Sequence, residues 1–404
     1  MNPIEDVSQF NIQIIDGDIA VSNPNTLTHR NAVSSSERNC SYWVDGKILY
    51  RLNFDNVSED GIDSSKISKA IEVYEQDTCL EFIDISNNKS RWNESHLVFF
   101  FSGRGCWSYV GRQCDLNGQL LSLAPGCLSI WQTAAHEIGH AVGLYHHQSR
   151  PDRDDFVKIA WGNIKPSMEH NFKKRCDSMT YDVKYDYLSL MHYGKNYFSR
   201  NGFPTLIPKD PLYIDLIGRG ATTLSFGDKK TLNRMYRCYE RCNENIDCLN
   251  GGFLNHRCKC ECPDGFCGSQ CQHQVPTDLH CGGRITEHKV ITTRNFPGKH
   301  SGILTCSWHF PPQNCKRLNL NFTEIKLTSN ERRDHIKIYE GDMLKEKYFI
   351  GSNATKTEAY NFKSNLNHVR ITFVSRRYEE TDTGFSCNVS FTDDEACNEI
   401  NIPS

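Results

Sequence analysis

The chain has no run of apolar residues near the roughly 20 that a helix needs to cross a bilayer, which excludes a helical membrane span. It has no excess of one charge: 46 Lys+Arg stand against 49 Asp+Glu, net −3. That balance leaves no polyanion-attracting field, so a nucleic-acid partner is not expected. Internal repeats and low-complexity tracts are absent. The first residues, Met1-Asn2-Pro3-Ile4-Glu5-Asp6, carry neither a basic n-region nor an apolar h-region, so no signal peptide is evident.

Cysteine, by contrast, is plentiful and uneven. Of nineteen, seven lie through Cys238, seven between Cys242 and Cys271, and five from Cys281 onward. Seven within thirty residues read as a disulfide framework for a module too small to bury its own core. Seven N-x-S/T sequons, at Asn39, Asn56, Asn88, Asn93, Asn321, Asn353 and Asn388, point the same way, to a glycosylated protein made in an oxidising secretory route. A leader signal peptide missing from the given chain reconciles this with its N-terminus.

The pattern of apolar residues divides the chain. Residues 1–30 are polar without a sustained period and read as a leader outside the core. Lys47–Phe54 alternates as a strand; Ile67, Ala70, Ile71 and Tyr74 recur at helical spacing within 62–78. Residues 79–85 and 96–101 read as strands, and a helix follows over 129–143. Strands and a long helix in one segment give an α+β domain ending near Cys238. Residues 239–272 suit a small stapled module. After a linker, runs at 304–310, 318–322, 335–339, 369–374 and 385–391 predict an all-β antiparallel sandwich over 281–397.

The chemistry concentrates in Thr133-Ala-Ala-His136-Glu137-Ile-Gly-His140-Ala-Val-Gly143-Leu-Tyr-His146. His136 and His140, four apart on a helix, project from one face toward one point. Gly143 can take the left-handed conformation that ends a helix and lets His146 meet the same ion. Three imidazoles leave one zinc position open, which suits catalysis better than a closed structural site. Glu137, beside the first ligand, stands where it can take a proton from water and pass it to a leaving amine.

This text, with Ser189-Leu190-Met191-His192-Tyr193 as a Met-turn, fits the long metzincin signature. Together with Gly105-Cys106-Trp107-Ser108-Tyr109-Val110-Gly111 and Ser149-Arg150-Pro151-Asp152-Arg153-Asp154, it resembles the astacin metalloendopeptidases over 31–238, in style nearest the nematode members. The resemblance implies a twisted sheet plus active-site helix and one catalytic zinc held by His136, His140 and His146. It makes Glu137 the proton shuttle, Tyr193 a labile fifth ligand that stabilises the oxyanion, and Met191 the apolar floor. Trp107, Ser108, Tyr109 and Val110 become the strand that aligns an extended substrate. Ile15-Asp16-Gly17-Asp18-Ile19 resembles the family's propeptide motif, making Asp18 the zinc latch of a zymogen. Arg30-Asn31-Ala32 resembles the activation junction, with the mature chain starting at Asn31.

Cys242, Cys248, Cys258, Cys260, Cys262 and Cys271 look like an EGF-like module, without its calcium signature, and 281–397 resembles a CUB domain. In the latter, Glu324 and Asp334 could be two acidic ligands, but Ser375-Arg376 replaces the third, so no calcium site is expected. The resemblances imply the pairs Cys79–Cys238, Cys106–Cys127, Cys242–Cys258, Cys248–Cys260, Cys262–Cys271, Cys281–Cys306 and Cys315–Cys387. Cys40, Cys114, Cys176, Cys267 and Cys397 remain, an odd number, so at least one is free or intermolecular. One departure stands beside the site: His147 replaces the family glutamate that contacts the buried new amino terminus, so the Asn31 amine is expected to be exposed or held by other acceptors.

The expected protein is therefore a secreted, extracellular zinc metalloendopeptidase hydrolysing internal bonds of extracellular or matrix proteins, with EGF and CUB modules contacting matrix or protein partners. The alternative is a weak or inactive relative that acts only as a binding module. The intact Glu137, three histidines and Tyr193 weigh against it.

Overall fold

The computed structural model describes residues 12–21, 42–55, 58, 61–101, 105–114, 116–176, 178–218, 223–243, 246–263, 266–274, 281–298, 304–313, 315–327, 334–341, 347–351, 360–365, 368–375 and 384–393. Chain contacts divide it into two units: Met1–Ile207 with Gly218–Gln274, and Pro208–Ile217 with Val275–Ser404. The segment 208–217, inside the expected peptidase domain, thus belongs with the C-terminal unit. Among the described residues, no helix is long and apolar enough to cross a membrane.

The first unit is built on a seven-stranded mixed sheet. Its strands are β1 (Gln13–Ile15), β2 (Ile19–Val21), β3 (Lys47–Asn53), β4 (Glu81–Asp84), β5 (His96–Phe100), β6 (Cys106–Ser108) and β7 (Gly118–Leu123), in the order β1-β2-β6-β7-β5-β3-β4. All five residues of β5 are buried, as expected for a central strand with both faces covered. Helix α1 (Ser64–Asp77) buries Ile67, Ala70, Ile71, Val73 and Tyr74, and the Thr78 N–H and hydroxyl both close its end on the Tyr74 carbonyl. Helix α2 (Trp131–Ala141) is buried along most of its length. The expected strands and helices at 47–54, 62–78, 79–85, 96–101 and 129–143 coincide with β3, α1, β4, β5 and α2 to within two residues at most ends.

The leader differs from its expectation. Its described part pairs as a hairpin that adds to the sheet edge at β6, and Ile12, Ile19 and Ala20 are buried. An exposed edge offers unpaired backbone groups, and a short apolar segment gains burial by completing it. With only three-residue strands, the leader's alternation was too brief to read. Helix α3 (Phe226–Met235) was also not anticipated, although Ser225 and Asp228 form a reciprocal capping box at its start.

Two small hairpins follow, pairing 253–254 with 260–261 and 266–267 with 273–274. Disulfides Cys242–Cys258, Cys248–Cys260 and Cys262–Cys271 staple this module, and Cys79–Cys238 and Cys106–Cys127 staple the larger domain. The C-terminal unit is a sandwich of five- and four-stranded sheets over one apolar core, including Trp308, Phe310, Phe322, Ile338, Phe373 and Phe385. It is not wholly antiparallel, because Gly282–Arg284 pairs in parallel with Leu304–Phe310. Within this unit the 208–217 segment is tied down by two ion pairs, Asp210 with Arg284 at 2.7 Å and Asp215 with the wholly buried Arg370 at 2.5 Å.

Cys281–Cys306 is present, but the expected Cys315–Cys387 bond is not. Cys387 is a buried free thiol, and Cys315 is disulfide-bonded elsewhere. Register supplies the reason. Lys316 pairs with Asp393 and Phe322 with Cys387, so Cys387 lies six residues along the sheet from the level of Lys316. At about 3.3 Å per residue that is ~20 Å, far beyond the separation a disulfide spans. Cys114 is disulfide-bonded, while Cys176 and Cys267 are exposed free thiols. Cys40 and Cys397 lie outside the described residues. Of the sequons, Asn88, Asn93, Asn321 and Asn388 are exposed; Asn39, Asn56 and Asn353 lie outside the described residues, as does the Arg30–Ala32 junction.

Candidate metal centre

Helix α2 delivers two ligands, and its end delivers the third. Gly139 allows the helix to sit close, since a Cβ there would meet the Met191 sulfur at 2.6 Å and the Tyr74 hydroxyl at 2.8 Å. Tyr74 in turn donates to the Ala135 carbonyl at 2.6 Å. Gly143 has φ +106, and the following Leu144 N–H returns to the Gly139 carbonyl. This turn carries His146 back to the face presented by His136 and His140.

Backbone acceptors set the tautomers. His136 Nδ1 donates to the Leu190 carbonyl at 2.9 Å and His140 Nδ1 to the Leu144 carbonyl at 2.7 Å, leaving each Nε2 with a lone pair. The Nε2 atoms of His136 and His146 stand 3.3 Å apart. The carboxylate of Asp18 completes the group, 3.4 Å from His136 Nε2, 3.4 Å from His140 Nε2 and 3.0 Å from His146 Nε2. Ligands bound tetrahedrally at 2.0–2.1 Å lie about 3.4 Å from one another, so this donor set fits zinc. Two orphaned atoms agree: Asp18 Oδ1 and His140 Nε2 are buried without a hydrogen-bond partner. Among the described residues this is the one cluster of three or more such side chains able to hold a metal.

The electrostatics follow from burial. Burial drives His140 down to about 4, keeping it a neutral ligand. Glu137, 1% exposed, is raised well above the usual carboxyl range by burial and then by the Asp18 charge. Burial opposes ionisation of Asp18, but the surrounding imidazoles, His146 first, hold it well below that range.

The Met-turn lies beneath. Met191 is 1% exposed and packs in the core under α2. The Tyr193 ring sits 4.5 Å from that of His146, and its hydroxyl donates to the Asp16 carbonyl of the leader. Trp107, Ser108 and Tyr109 are buried and Val110 partly so; the Ser108 N–H donates to the Asp18 carbonyl at 2.9 Å. The leader therefore occupies the edge on which a substrate strand was expected. His147 accepts from the Asp186 N–H at 2.8 Å and packs on Tyr185. Burial, then Arg150, holds its pKa well below normal, so it is a neutral acceptor and not an anion.

Three supporting residues escaped the sequence. Arg175 donates to the Asp16 carboxylate at 2.8 Å and lies over the Tyr145 ring. Gln148 accepts from the Tyr193 N–H. Asp228 accepts from the Ser189 hydroxyl and the Leu190 N–H, orienting the loop whose Leu190 carbonyl fixes His136. Only Asp228 had a readable signal, as the fourth residue of Ser225-Phe-Gly-Asp228.

The model of the peptidase family described as Astacin matches residues 35–237, and that of the CUB domain matches 281–389. The chain is 36% identical over 325 residues to blastula protease 10 of Paracentrotus lividus, covering 77% of this chain and 53% of that protein. It is 36% identical over 313 residues to zinc metalloproteinase nas-36 of Haemonchus contortus, covering 75% and 49%. The hatching enzyme zinc-protease of Oryzias latipes, a solved structure, aligns at 29% identity with a TM-score of 0.45, covering 51% of this chain and 99% of that one. The chain spans about half the length of the first two relatives.

Proposed function

The chain belongs to the astacin family of peptidases, and on that footing we propose that it is a secreted zinc metalloendopeptidase made as a zymogen, with one zinc per chain. The observation that supports this most is the convergence of the three imidazoles of His136, His140 and His146 with Asp18 beside the unpartnered, buried Glu137 Oε2. His136, His140 and His146 would hold the ion, which when bound supplies Lewis-acid polarisation of a peptide carbonyl and a water pKa lowered to about 7.

The chain's own groups do the rest. In the uncleaved protein Asp18 fills the fourth position and the leader hairpin covers the β6 edge. Once the leader is removed, the backbone of 107–110 can pair with an extended polypeptide and fix its scissile carbonyl at the cluster. Glu137 takes the proton of the attacking water and gives it to the departing amine as the C–N bond breaks. Tyr193, freed from the Asp16 carbonyl, donates its phenol to the carbonyl oxygen as that atom gains charge. Extracellular or matrix proteins are the proposed substrates. The EGF-like and CUB modules are the proposed contacts with partners, and the four exposed sequons are proposed glycan sites. Glu137→Ala in the leader-free protein should lower kcat by about two orders of magnitude or more while zinc content stays near one per chain. Unchanged turnover would overturn the reading.

A further inference from the structure

Tyr193 reaches the metal cluster from a loop, so whatever holds its peptide decides where its phenol points. The Tyr193 N–H donates to Gln148 Oε1 at 3.0 Å, and Gln148 is wholly buried two residues past the third zinc histidine. The bond fixes which way this amide faces, because the flipped form would set its NH2 group against the Tyr193 N–H, donor on donor. In this orientation Gln148 Nε2 is buried without a partner.

Arg153 ties this support to a second one. It is 3% exposed, and its Nη1 donates to the Gln148 carbonyl at 2.9 Å while its Nη2 donates to the Phe172 carbonyl at 2.8 Å. The Phe172 ring meets the Tyr193 ring edge-on, with centroids 6.0 Å apart. One guanidinium therefore fixes the main chain of both residues, Gln148 at the Tyr193 peptide and Phe172 at its ring. A planar fork with two acceptors on the main chain has little freedom to turn, and neither does what it grips.

We propose that Gln148, with Arg153 behind it, is a positioning residue for Tyr193: it holds the Tyr193 peptide and so aims the phenol at the substrate carbonyl oxygen. The proposal rests on the assignment of Tyr193 to the oxyanion. It gives Gln148 and Arg153, which approach neither the metal cluster nor the substrate edge through any bond described above, a share in setting kcat.

The test is a double-mutant cycle on the leader-free full chain, loaded with zinc, measuring kcat and KM on one peptide for the parent, Gln148→Met, Tyr193→Phe and the pair. Methionine keeps the length of the side chain and removes the acceptor. Gln148→Met should lower kcat about fivefold or more with KM within about twofold, and should cost little further when Tyr193 is already Phe. An equal loss in both backgrounds, or none in the parent, overturns the positioning role. If Tyr193→Phe alone keeps full kcat, the Tyr193 assignment fails and the proposal with it. Should Gln148→Met fold poorly, Arg153→Lys, which keeps the charge but not the two-pronged grip, is read against the same criteria.

Discussion

Arg175 and the leader's Asp16 form an ion pair two residues from the aspartate that faces His136, His140 and His146. The leader is therefore held at two carboxylates, one at the metal cluster and one on the guanidinium over Tyr145. Both aspartates are buried. Asp18→Ala should raise basal activity of the uncleaved chain or speed its processing. Asp16→Ala should do so more weakly, because the metal-facing carboxylate remains. The measurement is peptide hydrolysis by the uncleaved variants beside the parent; inert Asp18→Ala would overturn the latch.

Acid stability should carry a signature of His309. This residue is 4% exposed, 2.7 Å from His368 Nε2 and beside Arg284. Burial first, then His368 and Arg284, lower its pKa to about 4. Its folded pKa lies below the unfolded 6.5, so the unfolded chain binds the extra proton between pH 6.5 and about 4. His309 therefore costs nothing above about 6.5, and its cost grows as pH falls toward 4. His309→Gln should flatten the fall of Tm between about pH 6.5 and 4 relative to the parent. Parallel curves would refute this.

Thiol labelling should separate three cysteines. Cys387 is buried with its pKa pushed up to about 12 by burial, whereas Cys176 and Cys267 are exposed. Iodoacetamide should modify Cys176 and Cys267 in the folded chain and Cys387 only after denaturation, since the thiolate is the reactive form. A peptide map containing a Cys315–Cys387 bridge would contradict the strand register described above.

Gly139→Ala should destabilise the domain that carries the histidine cluster. The added methyl meets the Met191 sulfur at 2.6 Å and the Tyr74 hydroxyl at 2.8 Å, both in the core. Overpacking of this kind costs about 1–3 kcal/mol. Denaturant midpoints of the two proteins check it, and equal midpoints would show that the helix shifts freely.

Much of the site was legible in the chain because its chemistry is local. His136, Glu137, His140, Gly143 and His146 lie within eleven residues, where helical spacing and one left-handed glycine are enough to bring the ligands together. Asp18 was legible too, but only through the motif around it. The pairs Cys242–Cys258, Cys248–Cys260 and Cys262–Cys271 were implied by the resemblance to an EGF-like module, and the sandwich strands by short β-rich runs. What tertiary structure alone decided are the relationships between distant residues. These are Arg175 with Asp16, Gln148 with Tyr193, Asp215 with Arg370, and the register that leaves Cys387 free. A sequence records which side chains can ion-pair or bridge. Which of them meet depends on strand register and on how far each segment is carried by the fold, and neither has a local signature.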